Sequence, residues 1–229
     1  MDTINPSSVV DAAITSRRSL RAFLPTPVSR ETVAHILDVA ARAPSGTNMQ
    51  PWRAHAMAGD RLRRFCDAVE AAFLAGVREE RDYLYYPEAF FEPYLARRRE
   101  VGWGLYALLG IGRGDVDKMQ RQHARNFRFF DAPVGVIFTI DRRLEIGSWL
   151  DYGMFLQNIM VAARGLGLDT CPQAAFANFP NTVRTALGLL DQDVVVCGMA
   201  IGRADPDAVE NTLHTTRVPA REFATFDGF

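Results

Sequence analysis

The sequence predicts a single α+β domain, and three features of its 229 residues carry that expectation. Residues 133–140 form an apolar, β-branched run with no polar alternation, the pattern of a central strand buried on both faces. Residues 193–201 form a second apolar strand, and segments with apolar positions at helical spacing lie before, between and around these two. No repeat, low-complexity tract or linker divides the chain, so one domain over residues 1–229 is the economical reading.

Taken in order, Ser7 or Ser8 caps a first helix bearing Val9, Val10, Ala13 and Ile14, which delivers Arg17 to its C-terminal end. The five residues Arg17, Arg18, Ser19, Leu20 and Arg21 then gather three guanidiniums and a hydroxyl. Such density suits a phosphate, because the guanidinium presents a rigid fork of charged donors; by itself it also fits a solvated basic turn. Ser29 caps a second helix with Val33, Ile36, Leu37, Ala40 and Ala41 on one face. His35 falls on the opposite, charged face and is given no chemistry.

Pro44 ends that helix. Ser45, Gly46, Thr47, Asn48, Met49, Gln50, Pro51 and Trp52 have the composition of a binding loop, or of a plain connection into the strand-like stretch 53–58. A helix over 60–75 follows. From 76 to 130 the chain turns aromatic and charged, with Tyr83, Tyr85, Tyr86, Phe90, Phe91, Tyr94, Trp103 and Tyr106 interleaved with Arg97, Arg98 and Arg99. This suits a helical cover over a flat ligand, or packing on a second chain. Nucleic acid is disfavoured because Glu79, Glu80, Asp82, Glu88, Glu92 and Glu100 dilute the positive field. Gly102, Gly104 and Ala107 match a dinucleotide-binding pattern, but inside a helical run with no strand before it, so no Rossmann site is expected.

A helix from Trp149 to Leu166, opened by Gly147 or Ser148, is apolar almost all round and is expected to be covered on every side, in a core or a dimer interface. Thr170 to Phe176 reads as an extended stretch whose small residues let backbone amides approach a ligand. Asn178 and Pro180 open a short helix ending near Gly188. The proline-marked tail to Phe229 is too irregular for its own core and is expected to wrap something, such as another subunit.

Composition narrows the function. A formal charge of −1 argues against a polyanion-binding protein, so any anion site is local. Cys66, Cys171 and Cys197 are too few and too dispersed for a disulfide framework or zinc site, and core packing in a reducing cytosol suits them. No apolar run is long enough for a membrane helix, and the first residues do not read as a signal peptide, so a cytoplasmic location is expected. No nucleophile triad, metal cluster or paired carboxylates can be recognised.

Together these pieces resemble the FMN-dependent nitroreductase family, most closely its nitrobenzoate-reductase branch. Arg17, Arg18, Ser19 and Arg21 look like its N-terminal phosphate motif, and Pro44 to Trp52 like its Pro-Ser-Ser-x-Asn-x-Gln-Pro-Trp loop, with Gly46 where serine is usual. Pro172, Gln173, Ala174 and Ala175 match the segment against the flavin ring, 198–202 the late glycine-containing strand, and Arg217 the C-terminal phosphate contact. The resemblance implies a three-layer α/β/α sandwich, dimeric, with a swapped C-terminal tail over 204–229 and two FMN sites, each built from both chains. Arg17, Arg18, Ser19, Arg21 and Arg217 would hold the phosphate and ribityl chain. Pro44, Ser45, Gly46 and Asn48 would reach the same flavin from the partner, with Asp151 near it. Pro172, Gln173 and Ala174 would face the ring, an amide lying near N5. The implied reaction is a ping-pong cycle in which NADH or NADPH delivers hydride and a nitroaromatic is then reduced toward nitroso and hydroxylamine. Other uses of the scaffold are dehalogenation, enone reduction, flavin breakdown, or flavin binding without turnover.

Overall fold

The computed structural model describes residues 6–229. Its centre is a four-stranded antiparallel sheet of β1 (Arg53–Ala58), β2 (Val134–Asp141), β3 (Asp169–Gln173) and β4 (Asp193–Gly202), in the spatial order β1-β2-β4-β3. As their unbroken apolar sequence predicts, β2 and β4 are buried along their whole lengths and pair with each other at the middle. Two helical layers cover the sheet. On one face α2 (Arg30–Ala40) and α6 (Ile146–Gly165) pack with Val136, Phe138, Val196 and Met199; on the other, α3 (Gly59–Leu74) and α7 (Pro180–Leu187) pack with Ile137, Val195 and Ala200. The result is the three-layer α/β/α arrangement.

Local chemistry sets two of the boundaries. Ser29 Oγ accepts the Thr32 N–H at 3.1 Å and starts α2, and Gly188, at φ 69°, ends α7 in the left-handed conformation that glycine adopts freely. On the α3 side the rings of Phe129 and Phe176 stack at 4.6 Å against Gly135 and Gly198. A methyl added at Gly135 would lie 2.5 Å from Phe129 Cε2 and 2.8 Å from Leu62 Cδ1. Gly135→Ala is therefore expected to destabilise the fold by about 1–3 kcal/mol, the cost of overpacking a close-packed core. A urea titration should show a lower midpoint at unchanged slope.

Several expectations need correction. The first helix, α1 (Pro6–Ser16), begins ahead of Ser7 and Ser8, which fall inside its first turn; its capping position lies outside the described residues. Likewise α6 begins at Ile146 after Glu145, placing Gly147 and Ser148 in its first turn. Within one chain, α6 is covered on one side only. Ser148, Tyr152, Phe155, Ile159 and Ala163 face the sheet, whereas Ile146, Leu150 and Met154, spaced i, i+4, i+8, are 78%, 68% and 39% exposed. One chain supplies one covering layer, so the second apolar face stays bare. The extended stretch after Thr170 also ends sooner, at Gln173, where residues 174–178 tighten into a 3-10 turn.

In the aromatic region, α4 (Tyr94–Leu108) and α5 (Val116–Ala124) are helical, while 77–93 has no regular structure. Gly102, Gly104 and Ala107 sit inside α4, as the missing strand before them indicated. Not one residue of α4 is buried. The start of the region is nonetheless fastened to the core. Glu79 accepts the Asn181 and Thr182 N–H groups at the start of α7, at 2.6 and 3.1 Å. Asp82 pairs with Arg142 at 2.7 Å and Arg184 at 2.6 Å, and Tyr83 donates to the Val196 carbonyl at 2.6 Å while packing edge-on against Trp149. Tyr83 is thus a fixed anchor, and any mobile cover begins after it. The three cysteines are buried and unbridged, as packing residues.

Candidate functional site

The arginine cluster leaves α1 at the edge of the sheet. Ser19 forms a parallel bridge with Thr170 of β3, and Leu20 N–H donates to the Thr170 carbonyl at 3.2 Å, so Arg17, Arg18 and Arg21 are laid along the free side of that strand. The organiser is a residue the sequence did not single out, the buried Asn211. Its Oδ1 accepts the Arg21 N–H at 2.8 Å, its Nδ2 donates to the carbonyls of Ala22 and Asp205, and its carbonyl accepts from Arg18 Nη1 at 2.9 Å. Arg18 Nη1 also donates to His214 Nε2, at 3.2 Å. No local pattern marks a single asparagine in an irregular tail; its importance is purely tertiary.

Arg217 comes to the same place, oriented by Nη1 bonds to Thr215 Oγ1 and the Thr216 carbonyl, each 2.8 Å. Burial first, and the charge of Arg217 second, hold the Arg17 guanidinium below its usual pKa. Arg17 nonetheless remains a cation at neutral pH. Among the described residues no carboxylate lies within ion-pair distance of Arg17, Arg18, Arg21 or Arg217, although Arg53, Arg125, Arg128, Arg142, Arg143, Arg164 and Arg184 all have one. Beside them the Thr170 hydroxyl is buried with no hydrogen-bond partner. Opposed cations without a counter-charge, next to an unsatisfied buried hydroxyl, fit a phosphate carrying a hydroxylated chain. Along the same strand follow Pro172, exposed, and Gln173, buried, whose Nε2 donates to the Asn126 carbonyl at 2.6 Å while its Oε1 has no partner; Ala174 opens the 3-10 turn.

The second predicted element lies elsewhere. Pro44 to Gln50 forms a tight loop in which Ser45 Oγ accepts the Gln50 N–H at 2.8 Å, and Thr47, Asn48 and Gln50 all adopt positive φ (50°, 62° and 50°). Three non-glycine residues in the left-handed region are a local cost that the surroundings must hold in place. Asp151 of α6 does so, its Oδ2 accepting the Gly46 N–H at 2.9 Å. Asp151 therefore touches the loop. A Cβ at Gly46 would meet only this oxygen, at 3.8 Å, so the family's usual serine would fit here.

The arginine cluster joins the other end of α6, where Arg164 reaches Ser16 Oγ at 3.4 Å and pairs with Asp169 at 2.5 Å. Asp151 and Arg164 are 13 residues apart in one helix, roughly 20 Å at 1.5 Å per residue. One chain thus brings Arg17, Arg18, Ser19, Arg21, Arg217 and the Thr170–Ala174 edge together, and keeps Pro44, Ser45, Gly46 and Asn48 apart from them. Among the described residues no group of His, Cys, Asp and Glu is arranged to hold a metal, and no helix is long and apolar enough to cross a membrane.

Residues 14–203 match the profile of the nitroreductase family. The chain is 44% identical over 223 residues to a nitrobenzene nitroreductase of Ectopseudomonas oleovorans, spanning 96% of this chain and 97% of that one. It is 42% identical over 219 residues to a 4-nitrobenzoate reductase of Pseudomonas putida, spanning 96% of each. Among solved structures, the FMN- and NADPH-dependent nitroreductase NfnB of Sphigopyxis sp. strain HMH superposes with a TM-score of 0.91 at 40% identity, over 96% of this chain and 99% of the other.

Proposed function

The chain belongs to the nitroreductase family, and from that we propose that it is a flavoprotein oxidoreductase that oxidises NADH or NADPH and reduces nitroaromatic acceptors. The observation that carries this reading is the Arg17 guanidinium, which feels the charge of Arg217 with no carboxylate at ion-pair distance, beside the strand that bears the unsatisfied Thr170 hydroxyl. Bound there, FMN would supply the two-electron redox chemistry, which is why the chain needs no triad or metal of its own. Arg17, Arg18, Ser19, Arg21 and Arg217 hold the phosphate and ribityl chain, with Asn211 setting their positions. Pro172, Gln173 and Ala174 place backbone against the ring. No histidine or carboxylate is assigned a proton-transfer role; donor and acceptor use one open face in turn.

The loop of Pro44, Ser45, Gly46 and Asn48 serves the flavin of a second copy. The roughly 20 Å between the two elements along α6 keeps one flavin from meeting both within a chain. The bare Ile146, Leu150 and Met154 face, the exposed Val9, Val10 and Ile14 of α1, and the exposed Phe223, Phe226 and Phe229 of the tail supply the apolar surface for a homodimer. In that assembly 1–229 is one domain, 204–229 embraces the partner, and the part of 76–130 beyond Tyr83 covers the open flavin face.

The test is the visible absorption spectrum of the purified, FMN-loaded protein under nitrogen. A yellow protein bleached by NADPH or NADH, and recoloured by nitrobenzene, is the expected result. A preparation that takes up no FMN, or a loaded one that neither nicotinamide bleaches, overturns the reading.

A further inference from the structure

Between α4 and the turn that follows α5 lies a cavity of about 340 Å³, with Arg21, Arg98, Arg99, Trp103, Tyr106 and Asn126 in its wall. It adjoins the proposed flavin site at two points. Arg21 belongs to the cluster on β3, and the Asn126 carbonyl is the group bonded by Gln173 Nε2. The wall combines flat aromatic surface with positive charge. Trp103 and Tyr106 meet edge to face at 5.8 Å, the Arg98 guanidinium lies 4.4 Å from the centre of the Phe90 ring, and that of Arg113 lies 5.1 Å from the centre of Trp103. Rings beneath the guanidiniums limit their freedom before any ligand arrives, which reduces the ordering cost of binding.

Among the described residues none of Arg21, Arg98, Arg99 or Arg113 has a carboxylate at ion-pair distance. Among the described residues no acid lines this cavity; Glu100 lines the adjoining outer opening with Arg99, Trp103 and Arg113. His123, exposed on its outer side and stacked on Phe73, is held below the usual imidazole pKa by partial desolvation and adds no charge at neutral pH. The wall is thus net positive, and its volume, at the low end for ligand pockets, suits one substituted ring rather than a dinucleotide.

Resting on the function proposed above, we propose that this cavity selects acceptors that carry an anionic substituent, a nitroarene carboxylate over its neutral counterpart, with Arg98 and Arg99 as specificity-determining residues. One relative is named for a neutral acceptor, nitrobenzene, and another for an anionic one, 4-nitrobenzoate, so similarity alone leaves the choice open, whereas the charge of this wall favours one.

The test compares kcat/KM for 4-nitrobenzoate and nitrobenzene with NADPH, using the FMN-loaded protein and the variants R98Q/R99Q, R98K/R99K and R98E/R99E. The wild type is expected to prefer 4-nitrobenzoate. In R98Q/R99Q the ratio should fall by roughly tenfold or more, the scale of one charge-assisted contact, chiefly through the KM for 4-nitrobenzoate. R98K/R99K should keep most of the preference and R98E/R99E should lose more than the glutamine pair. Flavin content and melting temperature verify that each variant is folded. A ratio unmoved by R98Q/R99Q overturns the proposal, as does a wild type that prefers nitrobenzene. An equal loss with both acceptors that traces to a raised KM for NADPH also overturns it, because the arginines would then read the nucleotide phosphate. A protein that reduces neither acceptor fails the parent reading instead.

Discussion

Asp82→Ala is expected to lower stability by about 3–5 kcal/mol, because it strips the counter-charge from an arginine held inside the protein. The Asp82 and Arg184 side chains are only 8% and 10% exposed and pair at 2.6 Å; Arg142 adds a second bond to the same carboxylate at 2.7 Å. Arg184 also donates to Asn181 Oδ1 at 2.7 Å and to the Asp193 carbonyl, which fixes it in place and leaves it nowhere to turn once its partner is gone. For a chain of this size the change corresponds to a fall in Tm of roughly 10 °C. Adding Arg184→Met to Asp82→Ala should recover part of the loss, since the second change removes the stranded charge.

The pH dependence has a defined sign. Burial pushes the Asp82 carboxyl upward, but the bonds from Arg184 and Arg142, with their charges, leave it below the ordinary carboxylate value. A group depressed in the folded state adds stability that is present in full above its unfolded pKa, about 4. That contribution disappears as pH falls from there through the folded value. The gap between wild type and Asp82→Ala should therefore be constant from pH 5 to 8 and narrow below pH 4. A melting series that shows no gap at pH 7, or a gap that widens in acid, contradicts the assignment.

What the sequence made legible follows from the range of the forces involved. Strands β2 and β4 were readable because burial on both faces leaves a local trace, an apolar run without alternation. Ser29 was readable because a cap is a contact across three residues. The Asp82–Arg184–Arg142 cluster joins positions 60 and 102 residues apart, and Asn211 binds Arg18 and Arg21 across 193 and 190; no window of sequence contains either. Local pattern marks Asp82 only as one of several acids diluting a basic field and Asn211 only as part of a tail. The outer face of α6 is legible only in part. Hydropathy registers that Ile146, Leu150 and Met154 need cover, but not whether this chain or another copy provides it. Of the site, Arg17, Arg18, Ser19 and Arg21 were visible as a run, and Arg217 only through family resemblance.

Replacing Arg17 with glutamine should weaken FMN by roughly 10- to 100-fold, the scale of one charge-assisted hydrogen bond. The apo protein should respond in the opposite sense. Arg17 is partly buried and feels the positive charge of Arg217 with no carboxylate in range, so the empty cradle carries an electrostatic cost that the substitution relieves. Arg17→Gln is thus expected to leave apo Tm unchanged or higher while FMN-induced stabilisation shrinks by about 1.4–2.7 kcal/mol at saturating ligand, the same factor expressed through binding linkage. Arg217→Gln should act in the same direction, and the double variant should lose less than the sum, because both cations serve one phosphate. Raising the salt concentration should weaken flavin binding by the wild type more than by either variant. Fluorescence titration of FMN, paired with melting curves with and without it, separates this from a structural role. If apo and holo Tm fall together, Arg17 supports the fold alone; if the FMN dissociation constant is unmoved, the cradle is misplaced.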